Sequence, residues 1–173
     1  MKIDARGTAR VLNDPGAWRV ILLHGEDTGL IRERALQATH RLAGTLDDPF
    51  RIALLDRETH NRLEEEATAL SLMGGRRVVR VRDASDALLK PVEHVLAQNT
   101  DTLVILEAPG LASRSKLRQL MEKLPVCASI GCYPEEGRNL ESSITQMLGA
   151  HHVQIDSDAL HWLAGRLGAD RAA

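Results

Sequence analysis

The residues with the clearest chemical potential begin at Gly25. The stretch Gly25-Glu26-Asp27-Thr28-Gly29-Leu30-Ile31-Arg32 follows the apolar run Val20-Ile21-Leu22-Leu23 and opens a helical pattern. That is the layout of a phosphate-binding P-loop, G-x-x-x-x-G-K-[ST], in which backbone N–H groups and a Lys surround a triphosphate. Here Leu30, Ile31 and Arg32 stand where Lys and Ser/Thr belong, and the loop itself carries two carboxylates. Asp27 is placed to cap a helix beginning near Thr28, so the positive end of the dipole already has an anion and a triphosphate meets repulsion. An ordinary strand–turn–helix junction uses the same glycines and the same cap. The segment alone therefore reads either way.

Other chemistries find less support. Glu107 closes the run Leu103-Val104-Ile105-Leu106, where P-loop ATPases place an Asp-Glu pair, but Ala108 follows it. One carboxylate without a loop Lys does not assemble the charge-neutralising site that phosphoryl transfer needs. The histidines are scattered, and adjacent His151 and His152 point apart in either regular structure, which disfavours a metal site. No G-x-S-x-G elbow exists, and Cys127 or Cys132 has no neighbouring base in sequence. Five steps apart on one strand, these two cysteines lie on opposite faces, beyond disulfide reach, and read as buried thiols.

A corner follows the second helical pattern, at Ala69-Leu70-Ser71-Leu72-Met73-Gly74-Gly75. If Leu70 continues the inward stripe, Leu72 lies about 200° further round the helix, so some apolar surface must project. Gly74-Gly75 lets the backbone break sharply and leaves Leu72 and Met73 exposed. They either tuck under the sheet edge as minor core residues or form a hook for a partner's pocket. In the second case each contributes about 1.5 to 3 kcal/mol on full burial.

The elements that must position these residues are legible from periodicity. Strand-like runs at Arg19 to Leu23, Arg51 to Leu55, Val78 to Val81, Leu103 to Leu106 and Val126 to Cys132 alternate with helical patterns. That alternation predicts a five-stranded parallel α/β sheet with helices on both faces. The first helix presents Ile31, Ala35, Ala38 and Leu42 and stops at Gly44; the second starts near Asn61 with Leu63, Ala67 and Leu70 inward. The third follows Asp86 with Leu88, Leu89, Val92 and Leu96, and the fourth starts at an N-cap, Ser113, with Leu117, Leu120 and Leu124. After Pro134-Glu135-Glu136-Gly137 only helical patterns remain. The expected division is therefore 1–137 as the sheet domain and 138–173 as the beginning of a helical unit that is cut short.

The totals narrow the class. The 173 residues are 43% hydrophobic with a formal net charge of −2, so the surface as a whole is no polyanion receptor. No apolar run spans a membrane and the first residues lack a signal-peptide core, which predicts a cytoplasmic protein without a membrane partner. Arg76, Arg77, Arg80 and Arg82 crowd one strand and read as a solvated face balanced by Glu64-Glu65-Glu66. Arg114, Lys116, Arg118 and Lys123 lie along one helix and leave a DNA contact open, though one Phe and one Tyr make no stacking platform.

Taken together, Leu22-Leu23-His24-Gly25-Glu26-Asp27 with Leu30-Ile31-Arg32-Glu33, Ala69-Leu70-Ser71-Leu72-Met73, and Leu111-Ala112-Ser113-Arg114-Ser115-Lys116-Leu117-Arg118 resemble the delta subunit of the bacterial DNA polymerase III clamp loader. The resemblance runs from about residue 18 to the end. It implies a RecA-like AAA+ domain with a degenerate P-loop, followed by the start of a helical lid, with the family's C-terminal collar absent. It further implies an accessory subunit of the polymerase holoenzyme, with no catalytic site, cofactor or metal of its own, that binds and opens the sliding clamp during replication. Leu72 and Met73 match the two residues that enter the clamp's hydrophobic pocket, Met73 replacing a frequent aromatic. The implied partners are the beta sliding clamp, the gamma/tau and delta prime subunits, and primer-template DNA, with Arg114, Lys116 and Arg118 as possible DNA-facing residues. The alternative is a P-loop nucleotide-binding enzyme of kinase or ATPase type.

Overall fold

The computed structural model of the chain describes residues 1–70 and 74–134. Met1–Cys132 form one compact unit. The helices expected within 138–173 lie outside the described residues, as do Leu72 and Met73.

The apolar runs form β2 (Val20–Gly25), β3 (Ile52–Leu55), β4 (Val78–Val81), β5 (Leu103–Pro109) and β6 (Cys127–Gly131). A further strand, β1 (Lys2–Ile3), makes the sheet six-stranded, not five-stranded, by pairing with β6. Two residues are too few to show an alternating pattern, so only the open edge of β6 defines this strand. The order is β1-β6-β2-β5-β4-β3 with every pair parallel.

Because a parallel sheet needs crossovers, both of its faces are covered. On one face Ile21, Leu23, Val78, Leu103, Ile105, Ala128 and Ile130 meet α1 (Ala5–Asn13) and α2 (Thr28–Ala43). On the other Val20, Leu22, Val79, Val81, Val104, Leu106 and Cys127 meet α3 (Leu63–Thr68), α4 (Leu89–Ala97) and α5 (Lys116–Lys123). Cys127 and Cys132 are buried free thiols in opposite layers, as their spacing predicts.

Asp27 caps α2 by accepting from the Leu30 amide at 3.0 Å, and Gly44 ends that helix in the left-handed region. The helix after Asp86 forms as expected, with Leu88, Val92 and Leu96 on the core side, whereas the second and fourth expected helices depart from the sequence reading. A 3-10 stretch, Arg57–Arg62, precedes α3, which ends at Thr68 because Ala69 is extended. Leu70 therefore does not continue the inward stripe and is 88% exposed. Helix α5 starts two residues later than expected, with Ser115 rather than Ser113 at the N-cap. The arginines in and beside β4 do not form a solvated face either: Arg77 and Arg80 are buried.

Candidate functional site

The C-terminal ends of β4 and β5 and the first turns of α2 enclose a cleft of about 190 Å³. Its lining is Thr28, Ile31, Arg32, Arg82, Asp83, Glu107 and Pro109. This is where a parallel α/β sheet presents its strand ends to a ligand. The loop between β2 and α2 is fastened to its neighbours: the Asp27 amide donates to the Cys132 carbonyl at 3.1 Å, and the Gly110 amide donates to that of Gly25 at 2.9 Å. Gly25 has φ +122°, and a Cβ there would lie 2.2 Å from the Cys132 carbonyl oxygen. Only glycine allows this approach of loop to β6, a requirement independent of any phosphate.

Glu107 is on the floor of this cleft but is not alone. In V-V-R-V, Arg80 alternates with Val79 and Val81 and so shares the α2 face with Glu107, one strand away. Its Nη2 donates to Glu107 Oε2 at 2.9 Å, with both side chains 8% exposed. The carboxylate thus has a permanent cation inside the protein. Asp83, a cleft residue the sequence reading missed, holds φ 53° and lies 3.7 Å from Arg57. An Asp in the left-handed region after a strand has no periodic signal to reveal it.

Behind the loop, on the opposite face, His24 is buried against α5. Desolvation, with Arg118 adding a like charge, pushes its pKa down to about 4, so the ring is neutral at pH 7. Glu122 works weakly in the other direction. Arg118 itself donates from Nε to Glu122 at 3.0 Å and is only 13% exposed. Of the three residues expected to face DNA, Arg114 and Lys116 are exposed on the surface while Arg118 is engaged within its own helix. Asp86 also sits at this helix start, accepting from the Ser115 hydroxyl and from the Lys116 and Leu117 amides. Those hydrogen bonds, that from Ser115 foremost, hold its carboxyl below the usual range.

The corner that carries the expected hook is framed by described residues on both sides. Exposed Leu70 leads into it; Gly74 and Gly75, at φ +75° and +83°, lead out. Arg77, which the sequence reading placed on a solvated surface, reaches back to the end of α3 and pairs with Glu66 at 2.8 Å. Its partners include backbone carbonyls, which no residue pattern announces. Among the described residues no His/Cys/Asp/Glu group could hold a metal ion, and no helix is long and apolar enough to cross a membrane.

No protein-family model and no curated protein matches this chain. Solved structures do. The DNA clamp loader delta protein of Bacillus subtilis is similar over 95% of this chain and 57% of its own length, at 14% identity with a TM-score of 0.62. The replication initiator DnaA bound to AMPPCP and single-stranded DNA is similar over 92% of this chain and 54% of its own, at 10% identity with a TM-score of 0.53. This chain thus spans little more than half of either protein. Its parallel sheet with helices on both faces is the RecA-like α/β fold that those two structures share.

Proposed function

We propose that this chain is the ATPase-like part of a clamp loader subunit of the delta type, which binds the sliding clamp and helps it open without hydrolysing ATP itself. The observation that carries this reading is Leu70, 88% exposed at the end of α3 and directly followed by Ser71-Leu72-Met73. An apolar side chain that far out of the core, beside two more in sequence, has the composition of an interface anchor. The fold shared with a clamp loader delta protein supplies the class of partner.

The nucleotide half of the reading rests on charge. Phosphoryl transfer needs a Lys on the phosphates and carboxylates free for magnesium. The loop offers Leu30, Ile31 and Arg32 in place of Lys and Ser/Thr, Asp27 occupies the helix start, and Glu107 is neutralised by Arg80. Energy for ring opening then comes from differential binding: the subunit favours a clamp conformation strained at one junction. The gamma/tau and delta prime subunits, as partners in a loader, would supply ATP control, and primer-template DNA would meet Arg114 and Lys116 only within that assembly.

The test is capture of a purified bacterial sliding clamp by the chain and by its Leu72→Ala/Met73→Ala variant. The wild type should retain the clamp and the variant should lose it, with stability unchanged to within about 1 to 2 kcal/mol. Equal capture by both, or a large loss of stability in the variant, refutes the hook. Calorimetry with ATP and magnesium tests the alternative: saturable binding abolished by Arg32→Ala would make the chain a nucleotide-binding enzyme instead.

A further inference from the structure

We infer that Arg77 is the positioning residue of the clamp-binding corner, holding its base in a binding-ready conformation before a partner arrives. This rests on the clamp reading above and deepens it. Helix α3 has six residues, too few to be stable alone, and its last carbonyls lack partners within the helix. Side chains from elsewhere take them. Arg77 Nη1 donates to the Glu66 carbonyl and to that of Ala69, at 2.5 and 3.5 Å, while Nη2 donates to Glu66 Oε2 at 2.8 Å. Thr100 Oγ1 donates to the Ala67 carbonyl at 3.0 Å. The remaining nitrogen of Arg77, Nε, donates to the Phe50 carbonyl at 3.2 Å, which ties the whole fork to the start of β3.

The exit from the corner is held in a similar way. Arg51 Nε and Nη2 donate to the Arg76 carbonyl at 3.3 and 3.2 Å, and Nη1 donates to the Ala43 carbonyl at 2.6 Å. Its guanidinium lies against Gly75, where a Cβ would come within 3.2 Å. Two planar forks therefore fix the chain on either side of residues 70–74, one gripping the helix end and the other the returning strand. Such a base lowers the entropy that a partner must remove on docking at Leu70 and the residues that follow it. Arginine suits the task because its donors are arranged rigidly and reach several carbonyls at once, which a Lys cannot do.

The experiment uses the full 173-residue chain with Arg77→Gln, Arg77→Lys and Thr100→Val, read by affinity for a purified bacterial sliding clamp and by hydrogen exchange at the Ala69 and Leu70 amides without clamp. Arg77→Gln should bind about tenfold more weakly and exchange at Ala69 at least about tenfold faster, with Arg77→Lys between it and wild type. Thr100→Val, which spares the buried cation, should show a smaller loss of the same kind, about threefold. Wild-type affinity and exchange in a folded Arg77→Gln chain would overturn the inference; if that variant does not fold, wild-type affinity and exchange in Thr100→Val do so. Failure of the wild-type chain to bind the clamp at all refutes the clamp reading alone, and the exchange rates then decide whether Arg77 fixes the corner.

Discussion

The Arg80–Glu107 pair shows how much one residue's neighbours matter. Each charge is costly to bury alone, and their attraction offsets that cost only while both are present. Arg80 Nε has no partner among the described residues, so the pair is already under-satisfied. Glu107→Leu should therefore cost about 3 to 5 kcal/mol, because it leaves the guanidinium uncompensated, whereas Arg80→Met/Glu107→Leu should recover most of that loss. Urea denaturation of the two variants measures the difference; equal destabilisation would show that the pair is not coupled. Glu107 was visible in the sequence as the carboxylate closing an apolar strand. Its partner was not, because V-R-V reads as a strand with one wet face. A parallel sheet covered by helices on both sides has no wet face, so the alternation that seemed to expose Arg80 in fact directs it inward.

At the scale of elements, strands were the most legible part and helix ends the least. The runs at β2, β4, β5 and β6 are mostly apolar and buried almost from end to end, which is the composition of strands covered on both faces. Helix starts depend on which of several Ser, Thr or Asp residues gains a second partner. Ser113 and Ser115 are equivalent in sequence, but Ser115 alone caps the Arg118 amide, at 3.2 Å, and donates to Asp86 from the turn before α4. Ser115→Ala should thus cost about 1 kcal/mol, and Ser113→Ala a few tenths at most, in a thermal unfolding comparison. Asp86 adds a pH signature. Its carboxyl pKa is lowered in the folded state, so the unfolded chain protonates first on acidification. The stability it contributes is present above the ordinary carboxylate range and is lost as pH falls through the lower folded value. Because Asp86 is exposed, solvent keeps this contribution below about 1 kcal/mol. Asp86→Asn should flatten that part of the acid limb; an unchanged limb would mean the carboxyl titrates alike in both states.

For the whole molecule, the question is which ligand the native state recognises, and linkage turns it into one measurement. A ligand that binds only the folded chain stabilises it by about 2.7 kcal/mol when present at a hundred times its dissociation constant. The fold by itself does not choose between nucleotide and clamp, since function is set by the side chains a fold carries. On the reading proposed above, the side chains make that choice. At the strand ends Asp83 lines the cleft, Asp27 already caps the helix start, Arg80 and Glu107 are committed to each other, and no Lys is available in the loop. At the corner after α3, the exposed apolar residue has no internal role that would compete with a partner. Millimolar ATP with magnesium should therefore leave the melting temperature unmoved, whereas saturating sliding clamp should raise it, and Leu72→Ala/Met73→Ala should abolish that rise alone. Differential scanning calorimetry separates the cases, provided the chain's own transition is followed apart from that of the clamp. A rise with ATP that disappears in Arg32→Ala, and none with clamp, would relocate recognition from the corner to the cleft.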